Sequence, residues 1–193
     1  MIIGITGGTG CGKTTALNVL RDHGCVVLDC DAIYHRLLET DKDMLSAIEN
    51  RFPGTVAGGK LDRKKLGSIV FADKNALLDL NKITHSAVKQ EVLKQLDPQP
   101  ELAAIDAIGL FEGGLAELCQ LTVAITAPES DRVARLMARD GISEDYARAR
   151  IGAQRPQEEF ISLCDHSLHN DGSQALFQEK CLAFFRQQGI IKA

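Results

Sequence analysis

The chain lacks any apolar run long enough to cross a membrane or act as a secretory signal, and it opens on Met-Ile-Ile-Gly-Ile-Thr without a basic leader. A cytoplasmic protein without membrane contact is therefore expected. Its six cysteines, Cys11, Cys25, Cys30, Cys119, Cys164 and Cys181, include no Cys-x-x-Cys pair and no zinc-ligand spacing. That argues against a structural metal site and suits a reduced, intracellular state. A basic surface is missing as well. The net charge is −4, so there is no electrostatic footprint for nucleic acid, and a polyanionic ligand must be met by locally placed Arg and Lys. No internal repeat, low-complexity tract or flexible linker breaks the chain. With 193 residues, 45% hydrophobic and 25% charged, it can build one α/β core with small appendages, not two independent full-sized domains. The acidic, helix-rich surface leaves the oligomeric state open.

What is present begins at once. Gly7-Gly-Thr-Gly-Cys-Gly-Lys-Thr14 fits the phosphate-binding template of glycine, four residues, glycine, lysine and serine or threonine. Ile2, Ile3 and Ile5 before it form a short buried-strand run, and Ala16, Leu17, Val19 and Leu20 after it recur at helical spacing. Glycines let the backbone take positive φ and bring N–H groups up to phosphate oxygens, and a helix starting near Lys13 adds its positive dipole end. The expected ligand is a nucleoside triphosphate. It would be held by the loop residues Gly8, Thr9, Gly10, Cys11, Gly12, Lys13, Thr14 and Thr15. Lys13 would reach the β- and γ-phosphates, and the Thr14 hydroxyl would take a Mg²⁺ coordination position. Cys11 reads in two ways: as a thiol activated by the loop dipoles and Lys13, or as a small residue where serine also fits.

Further along, Cys25 to Asp29 reads as a second strand. From Ala32 to Leu96 the pattern is helical, broken by a Pro/Gly loop from Phe52 to Gly59 with no evident strand, and Asp62 and Asp73 read as helix N-caps. Asp97-Pro-Gln-Pro100 precedes a third strand ending at Asp106, and a fourth spans about Leu121 to Thr126. A helical hairpin follows: Pro128 opens one helix, Gly141 stops it, and Ser143 starts the next. A short strand from Asp165 to His169 precedes an amphipathic helix from Ser173 to Gln188. Strands alternating with helices imply a three-layer α/β fold around a parallel sheet of about five strands. The core would be about 1–31, 101–127 and 156–193, with a helical acceptor-binding insert at about 32–100 and a helical lid at about 128–155. Thr6, Asp29, Asp31, Asp106 and Glu112 fall at or after strand carboxyl ends, where open α/β sheets bind ligands.

Other segments narrow the class. Val27-Leu-Asp-Cys-Asp31 with His35, Leu61-Asp-Arg-Lys-Lys-Leu66 with Ile69-Val-Phe71, and Ile83-Thr-His85 occur in that order. They are followed by Leu110-Phe-Glu112, Arg135 with Arg139-Asp-Gly-Ile-Ser143, Ala147 with Arg150-Ile151 and Ala153-Gln154, and His169-Asn-Asp-Gly-Ser173. Together with Thr6 to Thr15, these resemble the dephospho-coenzyme A kinase family of P-loop kinases over nearly the whole chain. Asp-Arg-Lys-Lys-Leu and Arg-Asp-Gly are far more diagnostic than the P-loop. The chain departs from the family pattern at Cys30, at Ser86, and before Leu110, where the family usually carries proline and leucine. Loss of that proline implies a more flexible loop leading to Glu112.

The resemblance implies ATP-dependent phosphorylation of the ribose 3′-hydroxyl of dephospho-coenzyme A, the last step of coenzyme A synthesis. ATP is then the donor, with Mg²⁺. Asp31 is the candidate base for the acceptor hydroxyl, and its alternative role is to cap the following helix. Arg135 and Arg139, one helical turn apart, are candidate phosphate contacts of the lid, with a surface alternative as partners of Asp131, Glu144 or Asp145. Arg132, Arg148 and Arg155 read as surface charge. Asp106 suits either water-mediated Mg²⁺ or acceptor binding, or capping of the next element. Arg63, His85 and Glu112 are acceptor contacts by resemblance alone, with a structural histidine as the alternative at 85. Asn170 is an adenine contact by resemblance and a turn residue by composition. Two rival functions stay open: another small-molecule kinase, such as a nucleoside or nucleotide kinase, and a non-catalytic nucleotide-binding regulator.

Overall fold

The computed structural model describes residues 1–192. In chain order the elements are β1 (Ile2–Thr6), α1 (Lys13–Asp22), β2 (Val26–Asp29), α2 (Cys30–Thr40), α3 (Lys42–Arg51), β3 (Val56–Ala57), β4 (Lys60–Leu61), α4 (Arg63–Val70) and α5 (Lys74–Leu96). Then come β5 (Ala103–Asp106), a 3₁₀ turn at Ala116–Leu118, β6 (Leu121–Thr126), α6 (Glu129–Asp140), α7 (Glu144–Gly152), α8 (Gln157–Leu163), β7 (His166–His169) and α9 (Gln174–Gln187). The main sheet has the order β2-β5-β1-β6-β7. β1 runs parallel to both neighbours, with Ile3 opposite Ala104 on one side and Leu121 on the other, and β6 runs parallel to β7.

The β1 run is apolar because it is central. Ile3 and Ile5 share a core with Val123 and Ile125 of β6, Leu17 and Leu20 of α1, and Phe177, Cys181 and Phe185 of α9. Each fully buried side chain of this size stabilises the fold by about 1.5–3 kcal/mol. The space beside Gly4 is filled by Leu110, so a Cβ at residue 4 would lie 2.7 Å from a Leu110 methyl. Leu110 is itself fully buried, and the segment around it is tied down by Ala107 N–H to the Ile5 carbonyl (3.2 Å) and Leu115 N–H to the Leu110 carbonyl (3.0 Å). Main-chain bonds thus anchor a loop that carries no proline.

Contacts divide the chain into two compact units. The first comprises Met1–Leu28, Gln99–Phe111 and Leu115 onward; the second comprises Asp29–Pro98 and Glu112–Gly114. In the second unit, aspartates begin every helix: Asp29 accepts from Ala32 N–H, Asp41 from Asp43 and Met44, Asp62 from Lys65, and Asp73 from Asn75. Each such cap contributes about 1 kcal/mol. The ion pairs Arg36–Glu91 (2.6 Å) and Arg51–Asp79 (2.8 Å) join α2 and α3 to α5.

Two segments correct the sequence reading. The Phe52–Gly59 loop contains strand after all, since β3 and β4 form a minimal antiparallel hairpin. Its turn residues Gly58 and Gly59 both have positive φ, 58° and 76°, as a two-residue turn between right-twisted strands requires. The strands are too short to show alternation in the sequence. α8 likewise has no signature in the sequence pattern. It buries only Phe160, so it has no apolar stripe, and it is anchored by the Gln157 side chain accepting the Ala127 N–H (2.8 Å).

Candidate phosphate-binding site

β1 ends at Thr6, fully buried, whose hydroxyl donates to the Ile108 carbonyl (3.3 Å) and so ties the strand end to the loop after β5. The chain then turns through Gly7 (φ 139°), Gly10 (76°) and Gly12 (102°), the last being the N-cap of α1 with no side-chain cap. A Cβ on Gly12 would sit 2.3 Å from the Asn170 side-chain nitrogen. The first N–H groups of α1 therefore remain available to an anion. Lys13 curls over the loop, its Nζ donating to the Gly7 carbonyl (3.0 Å). Thr14 is exposed and its side chain makes no hydrogen bond among the described residues, while Thr15 is half-buried. Asp106, half-buried, closes β5.

Cys11 corrects one sequence idea. It is 1% exposed, and burial pushes its thiol up; the charges of Lys13 and Arg132 offset this only in part. A buried, protonated thiol is not an activated one. Asn170 also reads differently in three dimensions. It is 4% exposed, its N–H donates to the Thr126 carbonyl (2.8 Å) and its Nδ2 to the Cys11 carbonyl (2.9 Å), while its Oδ1 is buried without a partner among the described residues. It braces the phosphate loop from the end of β7 and presents one uncommitted acceptor.

The Arg-rich hairpin contributes unevenly. Arg135 donates to the Gly10 carbonyl (3.1 Å) and lies 3.8 Å from Asp131. Arg139 instead grips Asp140 through two bonds (2.7 and 2.9 Å), and Arg150 reaches the same carboxylate (2.6 Å). These two guanidinium groups hold the Asp140 carboxyl well below the usual range. Gly141, in the left-handed region at φ 65°, ends α6 there. Arg148 bonds Glu129 and Glu144 at the surface. Arg132 does not behave as surface charge: it is 4% exposed, and its Nε donates to the Thr9 carbonyl (2.9 Å). The signal available in the sequence was spacing, since Arg132 lies four residues before Leu136 and shares its buried face.

In the second unit, Asp29, not Asp31, caps α2. Asp31 is exposed in the first turn of that helix, and its carboxylate makes no hydrogen bond or ion pair among the described residues. Arg63 opens α4, exposed, and its charge bears on Tyr34, whose hydroxyl is pushed up mainly by burial. His35 is exposed, its ring 5.6 Å from that of Tyr34. His85 is half-buried midway along α5, and Glu112 is exposed. Among the described residues no cluster of three or more His, Cys, Asp or Glu is arranged to hold a metal ion.

The model of the dephospho-CoA kinase family matches residues 1–175. The chain belongs to the dephospho-CoA kinase family. A dephospho-CoA kinase of Carboxydothermus hydrogenoformans is 34% identical over 192 residues, covering 96% of this chain and 93% of its own. A crystal structure from Thermus thermophilus superposes with a TM-score of 0.82 at 35% identity, covering 97% of both chains. The dephospho-CoA kinase of Campylobacter jejuni gives 0.67 at 28% identity, covering 97% of this chain and 96% of its own. Family membership also makes the fold that of a P-loop kinase.

Proposed function

We propose that the phosphate loop and hairpin of the first unit hold ATP, and that Asp31, Arg63, His85 and Glu112 serve the acceptor. The chain is an ATP-dependent kinase of dephospho-coenzyme A, catalysing the last step of coenzyme A biosynthesis. The observation that supports the donor assignment best is the glycine nest at Gly7–Gly12 opening onto an uncapped helix with Lys13 folded across it.

In the reaction the acceptor 3′-oxygen attacks the γ-phosphorus, the bond from that phosphorus to the β–γ bridging oxygen breaks, and ADP leaves. Phosphoryl transfer asks little covalent chemistry of the protein, so positioning and charge neutralisation supply most of the rate. The N–H groups at the start of α1 cradle the phosphates, and Lys13 moves from the Gly7 carbonyl onto phosphate oxygens. Arg139 exchanges Asp140 for the charge that develops on the transferred group, while Arg135 secures Gly10. Asp31, with no competing partner, orients the acceptor hydroxyl and takes its proton as transfer completes. Asn170 turns its uncommitted oxygen toward the donor nucleotide's base. Mg²⁺, when bound with the nucleotide, neutralises phosphate charge. The exposed, unbonded Thr14 hydroxyl fits a ligand position for it, and Asp106 a position reached through water. Among the described residues no helix is long and apolar enough to cross a membrane. The family relationship supports a reaction in the cytoplasm.

An ADP-release assay with ATP, Mg²⁺ and dephospho-coenzyme A tests the reading. Turnover that depends on all three is expected. Turnover on a nucleoside with none on dephospho-coenzyme A would overturn it.

A further inference from the structure

Thr9 is held on both sides of its backbone by side chains from elsewhere in the chain. Its N–H donates to Gln154 Oε1 (2.7 Å), its carbonyl accepts from Arg132 Nε (2.9 Å), and Arg132 Nη2 lies 3.5 Å from the same Gln154 oxygen. Arg132 stands in α6 and Gln154 two residues beyond the end of α7, so the two legs of the hairpin meet on one residue of the phosphate loop. The neighbouring glycines are shaped to this grip. A Cβ on Gly8 would lie 2.4 Å from Arg132 Nη2, and one on Gly10 would lie 2.9 Å from the Arg132 carbonyl oxygen. These two positions are glycine for the sake of Arg132 as well as for phosphate.

The charge of Arg132 is also unusual. The guanidinium is buried, and among the described residues no carboxylate lies within ion-pair distance of it. Glu129, whose charge bears on Arg132, is engaged by Arg148 at 2.7 Å. A buried cation without a counterion is costly, and a guanidinium does not escape by losing its proton. At an anion-binding loop, the bound triphosphate supplies the missing negative charge.

We propose that Arg132 and Gln154 are positioning residues for ATP. Together they fix the Thr9 peptide and couple the phosphate loop to the hairpin, and Arg132 adds buried positive charge beside the loop. The assignment rests on ATP being the donor held by this loop. Lys13 and Arg139 act on the phosphates themselves, whereas Arg132 acts through the loop backbone at Thr9, as Arg135 does at Gly10.

The test is calorimetric binding of a non-hydrolysable ATP analogue with Mg²⁺, alongside KM for ATP, kcat and apo-protein melting. Arg132→Met should weaken analogue binding and raise KM for ATP about 10- to 100-fold, with kcat at saturating ATP changed less than about threefold. Arg132→Lys, which keeps the charge and one donor, should recover part of the loss. Gln154→Leu should weaken binding about 5- to 30-fold. In the double variant Arg132→Met/Gln154→Leu, the loss should fall well short of the product of the single losses, as for two side chains acting on one peptide. A purely structural role would lower the melting temperature and the active fraction while leaving the dissociation constant and KM unchanged; that result overturns the proposal, as do multiplying losses. Should Arg132→Met fail to fold, Arg132→Lys and Gln154→Leu decide by the same readouts. Binding of the analogue needs no acceptor, so failure of the wild type to phosphorylate dephospho-coenzyme A would refute the proposed function without touching this one.

Discussion

The two units carry their candidate residues in opposite ways. In the first, polar side chains from α6, α1 itself and the segments just after α7 and β7 converge on carbonyl and N–H groups of one short loop: Asn170 on Cys11, Arg132 and Gln154 on Thr9, Arg135 on Gly10, and Lys13 on Gly7. In the second, Asp31, Arg63 and Glu112 are exposed and His85 half-buried, each on a different helix or loop. A triphosphate is bound by backbone N–H groups, which work only if the backbone is held in one shape, so its site must be built in advance. An acceptor hydroxyl needs one carboxylate to meet it, and that group serves best exposed and uncommitted.

The sharpest way to break the comparison is Lys13→Ala. Transfer should fall about 10³-fold, because a charge aimed at the developing phosphate negative charge is lost; kcat by coupled assay reads it, and retention of a tenth of the activity would refute the role. Next comes Asp31→Asn, for which kcat should drop about 10²-fold while the affinity for an ATP analogue stays within about twofold. A matching loss of nucleotide affinity would show that Asp31 belongs with the donor residues instead.

The smallest effect concerns pH. Burial raises the thiols of Cys25 and Cys164 to about 11 and of Cys119 and Cys181 to about 12, from an ordinary 9.0, and pushes Cys11 up as well. All five lie in the first unit. Because the unfolded chain ionises first, the stability contributed by keeping these thiols neutral is full below about pH 9 and is lost as pH rises toward the folded values. The melting temperature should fall as pH rises from 8.5 to 10.5. After correction for the intrinsic pH dependence of exchange, amides of β1, β6 and α9 should lose protection ahead of those of α3 and α5. Earlier loss in α3 and α5 would reverse the contrast.

Much of this was legible from local pattern. The glycine-rich turn after β1, the caps Asp62 and Asp73, the helix starts at Ser143 and Ser173, and the stop at Gly141 each rest on chemistry contained within a few residues, and the structure holds all of them. The β3–β4 hairpin and α8 escaped because two-residue strands and a helix burying one side chain produce no periodic signal. Position at a strand–helix junction alone allows Asp31 as a helix cap; the helix begins one residue after Asp29, which takes the cap and leaves Asp31 uncommitted among the described residues.

The sequence by itself determined the turn from Gly7 to Thr14 between β1 and α1, because a glycine-rich run followed by Lys-Thr and an apolar helix fixes its own backbone geometry over eight residues. Only the tertiary structure decided what holds that turn in shape. Arg132, Gln154 and Asn170 stand more than a hundred residues away from it in the chain, and local sequence, even where spacing puts Arg132 on the buried face of α6, does not say which loop atom a side chain will meet. The same burial raised the Cys11 thiol that the loop dipoles alone would have lowered, since desolvation depends on what packs around a residue and not on its neighbours in sequence.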